Sequence, residues 1–427
     1  MRILVIGSGG REHAICWRLS KSPKAGRIFC APGNPGTLEC ATNVGIGPME
    51  LEKLLAFAKR EKVDLTVVGP EAPLCAGIAD LFVEAGLAVV GPSAKAAQLE
   101  GSKIFAKQFM QRHNIPTASF RVFEDLRVAA AYIEGNPQAL VVKADGLAAG
   151  KGVFVAKDPE DAKSSVEMLL SGSMGDAGRK VVVEERLVGE EVSVIAITDG
   201  ERILPLASSQ DHKAAFDGDA GPNTGGMGAY SPAPVFTPAL EKRVMGEILE
   251  PTVQGMASEG MPYKGILYAG LMLVDGDPYV LEFNCRMGDP ETQPLMHRFE
   301  DDLVEYLARA ASGQLPTELP KWDSRASLCV VLASSGYPGS YEKGAVISGV
   351  GRANEMDDVV VFHAGTEIRE RDLVTAGGRV LGVSALGDGV AEARARAYEA
   401  VHHISWEGMH FRTDIGNRAL GRRPARC

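Results

Sequence analysis

The sequence predicts a multidomain protein of the α/β and α+β classes, with an N-terminal open parallel α/β domain, a central α+β domain and a β-rich C-terminal domain. Three observations support this prediction. The chain has 427 residues, enough for roughly three domains. Apolar runs near the N-terminus each end in a turn rich in Gly or Pro. A proline-rich link at residues 314–321 precedes a region of strand patterns with one long helix near residues 391–403. We therefore place the domains at residues 1–102, 103–320 and 321–427.

The first glycine-rich turn joins a strand at residues 3–6 to a helix and reads Gly-Ser-Gly-Gly-Arg-Glu-His-Ala. Free N–H groups at a helix start form an anion site. A dinucleotide-binding turn fits poorly, because Glu12 takes the place of the third glycine and no acid for a ribose ends the second strand. Arg11 fits a phosphomonoester better, although a solvated arginine on a tight turn has the same sequence. Further turns follow strands at the edge where open α/β sheets bind ligands, at residues 32–37, 69–74 and 91–93.

A second glycine-rich loop begins after an apolar strand that ends in Lys143, and it returns to another apolar strand at residues 153–155. Glycines let backbone N–H groups approach phosphate oxygens, and lysines supply positive charge. This is not a Walker A loop, because only three residues separate Gly146 from Gly150 and Gly152 stands where a Mg²⁺-binding Ser or Thr belongs. A glycine loop between two strands, placed over phosphates, indicates a nucleotide-binding fold other than the Walker A type. The alternative is an ordinary hairpin turn.

An acidic segment follows the next apolar strand, with Glu184 and Glu185 at its end and Glu191 six residues later. Backbone groups between Glu185 and Leu187 can hydrogen-bond an adenine edge, and Glu191 can accept from ribose hydroxyls. Four acids here are equally compatible with a solvated hinge.

Residues 280–291 begin as an alternating strand, on which Glu282 and Asn284 lie on the same side. A carboxylate beside an amide oxygen suits Mg²⁺ that is already bound to phosphates. Arg286 continues this face and can bind an anion through two parallel hydrogen bonds. Cys285 lies between them and is predicted to point away and pack. Taken alone, this segment would be interpreted as a half-exposed strand end with a surface ion pair. The glycine loop upstream favours the metal and phosphate site instead.

In this order, the lysine strand, glycine loop, acidic hinge and Glu-x-Asn strand resemble the ATP-grasp fold, which holds ATP between two α+β lobes. The smaller lobe would span about residues 116–192. The resemblance implies ATP and Mg²⁺ (or Mn²⁺) as cofactors, with Glu282 and Asn284 as metal ligands.

Longer motifs narrow the resemblance to one family. The first turn, Gly-Pro-Glu-Ala-Pro-Leu at 69–74, the glycine loop, Ser-Gln-Asp-His-Lys at 209–213, residues 221–232 and Asn-Cys-Arg-Met-Gly-Asp-Pro-Glu at 284–291 resemble the phosphoribosylamine–glycine ligases, also called glycinamide ribonucleotide synthetases. The likeness runs from residue 1 to about residue 420. One departure is Met287 in place of Phe or Leu, an apolar exchange that we expect to repack. Another is the apolar run at 271–273, where wider relatives often carry an acidic metal ligand, so we expect ATP oxygens and water to complete the metal coordination.

The family resemblance implies that ATP phosphorylates glycine to glycyl phosphate. The amine of 5-phosphoribosylamine then displaces the phosphate group. The products would be glycinamide ribonucleotide, ADP and phosphate, in the second step of de novo purine biosynthesis. Such phosphoryl transfer needs positioning and charge neutralisation. The family resemblance implies that Lys143 binds ATP phosphates, that Asp211 pairs with the ammonium group of glycine and that Arg286 binds the developing acyl phosphate.

The resemblance also implies two larger binding sets. The ATP set is Lys103, Lys143, Gly146, Gly150, Lys151, Gly152, Glu184, Glu185, Leu187 and Glu191. The set for the other substrates is Gly9, Gly10, Arg11, Glu12, Asn34, Gly36, Thr37, Glu71, Lys213, Gly225, Gly226, Met227 and Gly228.

Three other functions were weighed. Another ATP-grasp carboxylate–amine ligase, or a biotin-dependent carboxylase, would share the nucleotide site but use different substrate loops. A dinucleotide-dependent oxidoreductase would need the missing third glycine and ribose acid. A catalytically inactive nucleotide-binding regulator would not need the intact Lys143 and Glu282.

Composition bounds the partners and the location. A net charge of −10 argues against nucleic acid, and no apolar run approaches a membrane span. Seven cysteines, an odd number without paired spacing, suggest reduced thiols. With no leader pattern before the first strand, we expect a cytoplasmic enzyme, a monomer or weak homodimer, whose partners are small molecules.

Overall fold

The N-terminal domain is built on a parallel sheet. The computed structural model describes residues 1–147, 152–173 and 178–421. The elements of this domain are β1 (Arg2–Gly7), α1 (Gly10–Leu19), β2 (Arg27–Pro32), β3 (Thr42–Asn43), α2 (Leu51–Glu61), β4 (Leu65–Val68), α3 (Glu71–Cys75), α4 (Ile78–Glu84), β5 (Val89–Val90) and α5 (Gln98–Gly101). The strand order is β3-β2-β1-β4-β5, with every pair parallel. Strands covered on both faces read as continuous apolar runs, as β1 does. The predicted open parallel sheet is confirmed.

The smaller lobe pairs four antiparallel strands with two helices. Its elements, with the helix that leads into it, are α6 (Lys103–Arg112), β6 (Phe120–Phe123), α7 (Leu126–Gly135), β7 (Val141–Ala144), β8 (Val153–Val155), α8 (Pro159–Met168) and β9 (Val181–Glu184). The strand order is β6-β9-β7-β8. The glycine loop joins β7 to β8, so the strand–loop–strand prediction is confirmed.

The larger lobe carries the metal strand in an antiparallel sheet. Its elements are β10 (Glu190–Asp199), β11 (Ile203–Pro205), β12 (Gln210–Asp211), β13 (Ala214–Phe216), β14 (Ala220–Asn223), β15 (Gly228–Ser231), α9 (Pro238–Val244), α10 (Glu250–Ser258), β16 (Lys264–Val274), β17 (Asp277–Asn284), α11 (Thr292–Arg298) and α12 (Leu303–Ala311). The main sheet has the order β11-β10-β16-β17. Between β16 and β17 the register shifts, so that Leu281 has no cross-strand partner. This bulge leaves the Leu281 carbonyl available to the smaller lobe.

The C-terminal domain completes a sheet that begins in the larger lobe. Its elements are β18 (Ala326–Ser334), α13 (Val350–Asn354), β19 (Val359–His363), β20 (Thr366–Arg369), β21 (Asp372–Thr375), β22 (Arg379–Gly387), α14 (Val390–Val401), β23 (Met409–His410) and α15 (Asn417–Leu420). The sheet has the order β12-β15-β18-β22-β19, with β23 beside β18. The long helix predicted near 391–403 is α14. The boundary placed at residue 320 stays a prediction, and this sheet crosses it.

A search of the helices in the described ranges finds none whose length and apolarity would let it cross a membrane.

Candidate active site

A cavity of about 440 Å³ lies where the three domains meet, and side chains from all of them line it. Eleven of the residues expected at the site from the sequence line this cavity: Arg11, Glu71, Lys103, Gly146, Gly152, Asp211, Lys213, Gly225, Glu282, Asn284 and Arg286. These residues are far apart along the chain, so the fold, rather than local sequence, brings them together. The cavity is therefore the candidate active site.

The two predicted metal ligands share one face of β17, as the alternation required. Glu282 Oε2 lies 3.8 Å from Lys103 Nζ, and Glu282 Oε1 lies 3.7 Å from Lys213 Nζ. Burial alone would raise the pKa of Glu282, but Lys213, Lys103 and two further cations lower it to about 2. The site thus offers an ionised carboxylate and, from Asn284, a neutral amide oxygen, which is the donor chemistry of a hard cation. The described residues contain no cluster of three or more His, Cys, Asp or Glu that could hold a metal.

Lys143 does not line this cavity; it belongs to a buried ion-pair chain in a small neighbouring pocket, which shares Lys103 and Glu282 with the cavity. Its Nζ lies 3.0 Å from Glu184 Oε1 and donates to the Leu281 carbonyl at 3.0 Å. Lys107 Nζ lies 2.7 Å from the other oxygen of Glu184. Burial lowers the pKa of Lys107 to about 8, against the opposing charge of Glu184. Glu184 was expected to bind ATP; the structure instead places it between two lysines. The sequence analysis did not identify Lys107. It lies four residues after Lys103 on α6, and this spacing alone does not distinguish it from a surface lysine.

Arg286 is held by Glu100, which the sequence did not single out, and by Glu71, which was expected to bind substrate. Its Nη2 donates to Glu100 Oε1 at 2.8 Å, and its Nε lies 3.5 Å from Glu71 Oε2. Burial would lower the pKa of Arg286, but these two carboxylates raise it, so the guanidinium stays charged. Cys285 is 1% exposed, and its N–H donates to Glu100 at 2.7 Å. The prediction that Cys285 packs away from the ligand face is confirmed.

Asp211 and Lys213 lie on and just after β12, opposite the metal strand. Burial and the nearby acid Glu291 raise the pKa of Asp211 to about 8, against the charge of Lys213. Lys213 Nζ lies 3.4 Å from Glu191 Oε2, so the acid expected to accept from ribose hydroxyls has a protein partner. Glu291 also accepts from the hydroxyl of Tyr268 at 2.7 Å. Glu291 stands in the Gly-Asp-Pro-Glu motif, which was the available signal for it.

The N-terminal turn differs from the sequence expectation. The N–H of Gly9 donates to Glu12 Oε2 at 2.6 Å, and Arg11 Nε donates to Glu12 Oε1 at 2.5 Å. Glu12 therefore caps its own helix start and is only 2% exposed. The expectation that the Gly9 N–H is free for a phosphate is corrected: Glu12 occupies it. Arg11 lines the cavity, and its Nη1 donates to the Met287 carbonyl at 3.2 Å.

Asn34 and Thr37 hold neighbouring loops and do not line the cavity. The amide group of Asn34 donates to the carbonyls of Ser8 and His363 at 2.8 Å each. Its Oδ1 accepts from the N–H of Thr37 at 3.1 Å. The side-chain amide of Asn34 is therefore fully used in joining the first turn to the C-terminal domain.

The loop before β15 also contains corrected expectations. Met227 is fully buried in the C-terminal core, so its side chain does not reach a substrate. A Cβ on Gly226 would lie 2.3 Å from Pro290, and one on Gly228 would lie 2.7 Å from the Cys329 carbonyl. These two glycines permit close packing, whereas Gly225 lines the cavity.

The remaining predicted residues are distributed as follows. Gly9, Gly10, Gly36, Glu185 and Leu187 do not line the cavity. The N–H groups of Glu185 and Arg186 donate to the carbonyls of Ser119 and Gln138, so they are not available to an adenine edge. Gly150 and Lys151 lie outside the described residues. Met287 is 6% exposed and packs in an apolar core, as expected for an apolar exchange.

Family profiles match almost the whole chain. The profiles for phosphoribosylglycinamide synthetase match residues 1–100 (N domain), 101–292 (ATP-grasp (A) domain) and 327–418 (C domain).

Full-length relatives and solved structures agree with the profiles. A protein of Vibrio vulnificus (strain CMCP6) named phosphoribosylamine–glycine ligase is 55% identical over 426 residues, covering 99% of each chain. One of Escherichia coli O157:H7 with the same name is 54% identical over 427 residues, again covering 99% of each. The crystal structure of the Thermotoga maritima phosphoribosylamine–glycine ligase has a TM-score of 0.84 at 36% identity, covering 97% of this chain and 100% of that one. The biotin carboxylase domain of Hydrogenobacter thermophilus 2-oxoglutarate carboxylase, in complex with MgADP, has a TM-score of 0.73 at 16% identity, covers 96% of this chain and 91% of that one, and shares the fold.

Proposed function

The chain belongs to the phosphoribosylglycinamide synthetase family, and from this premise we propose how its cavity joins glycine to 5-phosphoribosylamine. The enzyme is an ATP-dependent ligase of purine biosynthesis. The observation that carries the residue assignments is the convergence of Glu282, Asn284 and Arg286 with Asp211 in one cavity. One end of such an arrangement suits phosphates and a metal, and the other suits an ammonium group.

ATP is assigned to the side of the cavity between β7 and β17. Lys103 and Lys143 bind its phosphates, and its adenine extends beyond the lining of the cavity to the backbone at Leu187. Glu282 and Asn284 hold Mg²⁺ (or Mn²⁺), which supplies positive charge to the phosphates when it is bound. Lys143 is pre-oriented for this role, because Glu184 and the Leu281 carbonyl fix its Nζ.

Glycine is assigned to Asp211. An ammonium cation beside Asp211 stabilises its ionised carboxylate, which burial otherwise disfavours. The carboxylate of glycine is then free, and one of its oxygens attacks the γ-phosphorus of ATP while the bond to the ADP oxygen breaks. Arg286 neutralises charge on the glycyl phosphate that forms.

Amide formation completes the reaction. The amine nitrogen of 5-phosphoribosylamine attacks the carbonyl carbon of glycyl phosphate, the C–O bond to phosphate breaks, and the nitrogen loses a proton. Arg11 and Glu71 face this end of the cavity from the N-terminal domain and bind the phosphoribosyl portion.

A product assay tests this assignment. Purified enzyme with Mg²⁺, ATP, glycine and 5-phosphoribosylamine should form ADP, phosphate and glycinamide ribonucleotide in equal amounts, whereas omission of either substrate should suppress the amide product. AMP and pyrophosphate among the products would overturn the acyl-phosphate route, because they require adenylation of glycine.

We further assign the enzyme to the cytoplasm as a monomer or weak homodimer. The net charge of −10 and the free thiols of the described cysteines support this assignment. Light scattering across a concentration series measures the oligomeric state, and a stable tetramer would contradict it.

A further inference from the structure

We propose that Arg379, from the C-terminal domain, binds the phosphate group of phosphoribosylamine and thereby makes this domain part of the substrate site. This inference rests on the proposed function and adds to it a residue that no sequence motif indicated. Arg379 is the first residue of β22 and lines the cavity together with Arg11.

The guanidinium of Arg379 is fixed at one nitrogen. Its Nη1 donates to the Gly225 carbonyl at 2.8 Å and to the Asp289 carbonyl at 2.6 Å. These two bonds use both hydrogens of Nη1. Its Nη2 lies 3.4 Å from Asp289 Oδ2, a longer ion pair, and the side chain is 22% exposed. The group is thus oriented by backbone carbonyls while Nη2 remains able to bind an anion in the cavity.

The loop beneath Arg379 is built to accommodate it. A Cβ on Gly225 would lie 3.0 Å from the Arg379 Cζ and 3.1 Å from its Nη2. The N–H of Gly225 donates to the hydroxyl of Tyr337 at 3.0 Å. Gly225 therefore lies against the guanidinium, and a Cβ at this position would shift Arg379 by a few tenths of an ångström.

Two other candidate anion sites, the start of α1 and Arg286, are closely paired with carboxylates. The Gly9 N–H donates to Glu12, and a Cβ on Gly9 would lie 3.5 Å from Asp289 Oδ2, so acids lie against the start of α1. Arg286 is paired with Glu100 at 2.8 Å. Arg379 has a longer pair, 3.4 Å from its Nη2 to Asp289, so it is less fully neutralised than Arg286 and is the better partner for a dianionic phosphate.

Asp289 supports this arrangement electrostatically. Burial would raise its pKa, but Arg379 and Arg11 lower it, so it stays ionised between them. An ionised Asp289 attracts both guanidinium groups and so helps to fix Arg379 at this end of the cavity.

Binding of ribose 5-phosphate tests the proposal without relying on turnover. Calorimetry is performed on the full-length enzyme saturated with Mg²⁺ and a non-hydrolysable ATP analogue, so that the nucleotide phosphate site is filled. The variants are Arg379→Gln, Arg379→Lys and Gly225→Ala, and the control is Arg371→Gln, an exposed arginine in the same domain. Ribose without phosphate is the second ligand.

We expect Arg379→Gln to weaken ribose 5-phosphate binding about 10- to 100-fold, the loss typical of a hydrogen bond to a charged group, and to leave ribose binding unchanged. Arg379→Lys should recover part of the affinity because it keeps the charge. In steady-state kinetics, Arg379→Gln should raise the KM for phosphoribosylamine and leave the KM values for glycine and ATP within about twofold. Gly225→Ala should give the same KM split, because its Cβ displaces the guanidinium while Arg379 itself remains.

Unchanged ribose 5-phosphate affinity in a folded Arg379→Gln variant overturns the proposal. If that variant does not fold, as judged by thermal melting, then unchanged affinity in Gly225→Ala overturns it instead. If Arg379→Gln loses ribose 5-phosphate affinity but the wild-type enzyme makes no glycinamide ribonucleotide, the proposed function is refuted and this phosphate site still stands.

Discussion

Glu282→Gln is the most direct test of the metal strand, because it keeps the size of the side chain and removes only its charge. In the wild-type enzyme, the carboxylate lies 3.7 Å from Lys213 Nζ and 3.8 Å from Lys103 Nζ. In the variant, both ammonium groups lose this partner, and the metal retains Asn284 as its protein ligand. The loss should therefore appear mainly in kcat.

The expected magnitude follows from the electrostatics of Glu282. Its pKa falls from the ordinary 4.5 to about 2, so the surrounding cations favour the ionised form by roughly 3 kcal/mol, at about 1.36 kcal/mol per pKa unit. Loss of a similar amount of transition-state stabilisation corresponds to a fall in kcat of about 10²–10³-fold. Asn284→Ala should have a smaller effect on Mg²⁺ dependence, since it removes a neutral ligand.

The assay is steady-state ADP release over a Mg²⁺ titration, with Glu392→Gln as a control on the exposed side of α14 and thermal melts for all variants. If Glu282→Gln turns over normally at low Mg²⁺, then β17 has only a structural role and the metal assignment is wrong.

Three further predictions separate the parts of the cavity. Arg11→Ala should raise the KM for phosphoribosylamine and leave the KM for glycine unchanged, while Asp211→Asn should raise the KM for glycine. Steady-state kinetics with each substrate varied in turn measure both effects. A change in the glycine KM alone in Arg11→Ala would contradict the assignment. Asp211 also predicts a pH effect on stability: its pKa rises to about 8 in the folded enzyme from an ordinary 3.8, so the native state holds the extra proton and wild-type stability falls as the pH increases from about 4 to 8. Asp211→Asn should remove that fall, and parallel stability curves for the two proteins across this range would refute it. Lys107→Met should lower the free energy of unfolding by about 1.5–3 kcal/mol, because a buried amine bonded to Glu184 and Thr117 is lost; a change below about 0.5 kcal/mol in urea unfolding would show that the pair contributes little.

Several site features were predictable from sequence because they depend on local periodicity and chemistry. Alternation on a strand has a period of two, so Glu282 and Asn284 had to share a face wherever β17 lay. The glycine loop after Lys143 could be recognised as strand–loop–strand because apolar runs flank it on both sides. The same alternation placed Cys285 on the opposite face, where it is buried.

Features that depend on exact backbone geometry or on distant contacts were not predicted. Glu12 follows a glycine turn that resembles an anion site, yet its own carboxylate caps the Gly9 N–H, and only the backbone geometry decides between these outcomes. Met227 lies in a substrate-like motif but is buried, because β15 pairs with β18 from the C-terminal domain.

By itself, the sequence determined the three-part architecture and the family, through motifs along the whole chain, and the shared face of Glu282 and Asn284, which follows from spacing within one strand. Tertiary structure alone decided which charges neutralise one another. Lys107 became a buried partner of Glu184, and Arg379 entered a cavity whose other lining residues, apart from Tyr337, lie more than 80 positions away from it in the chain. Ion pairing depends on distances of a few ångströms and on burial, and neither is set until all three domains have packed together.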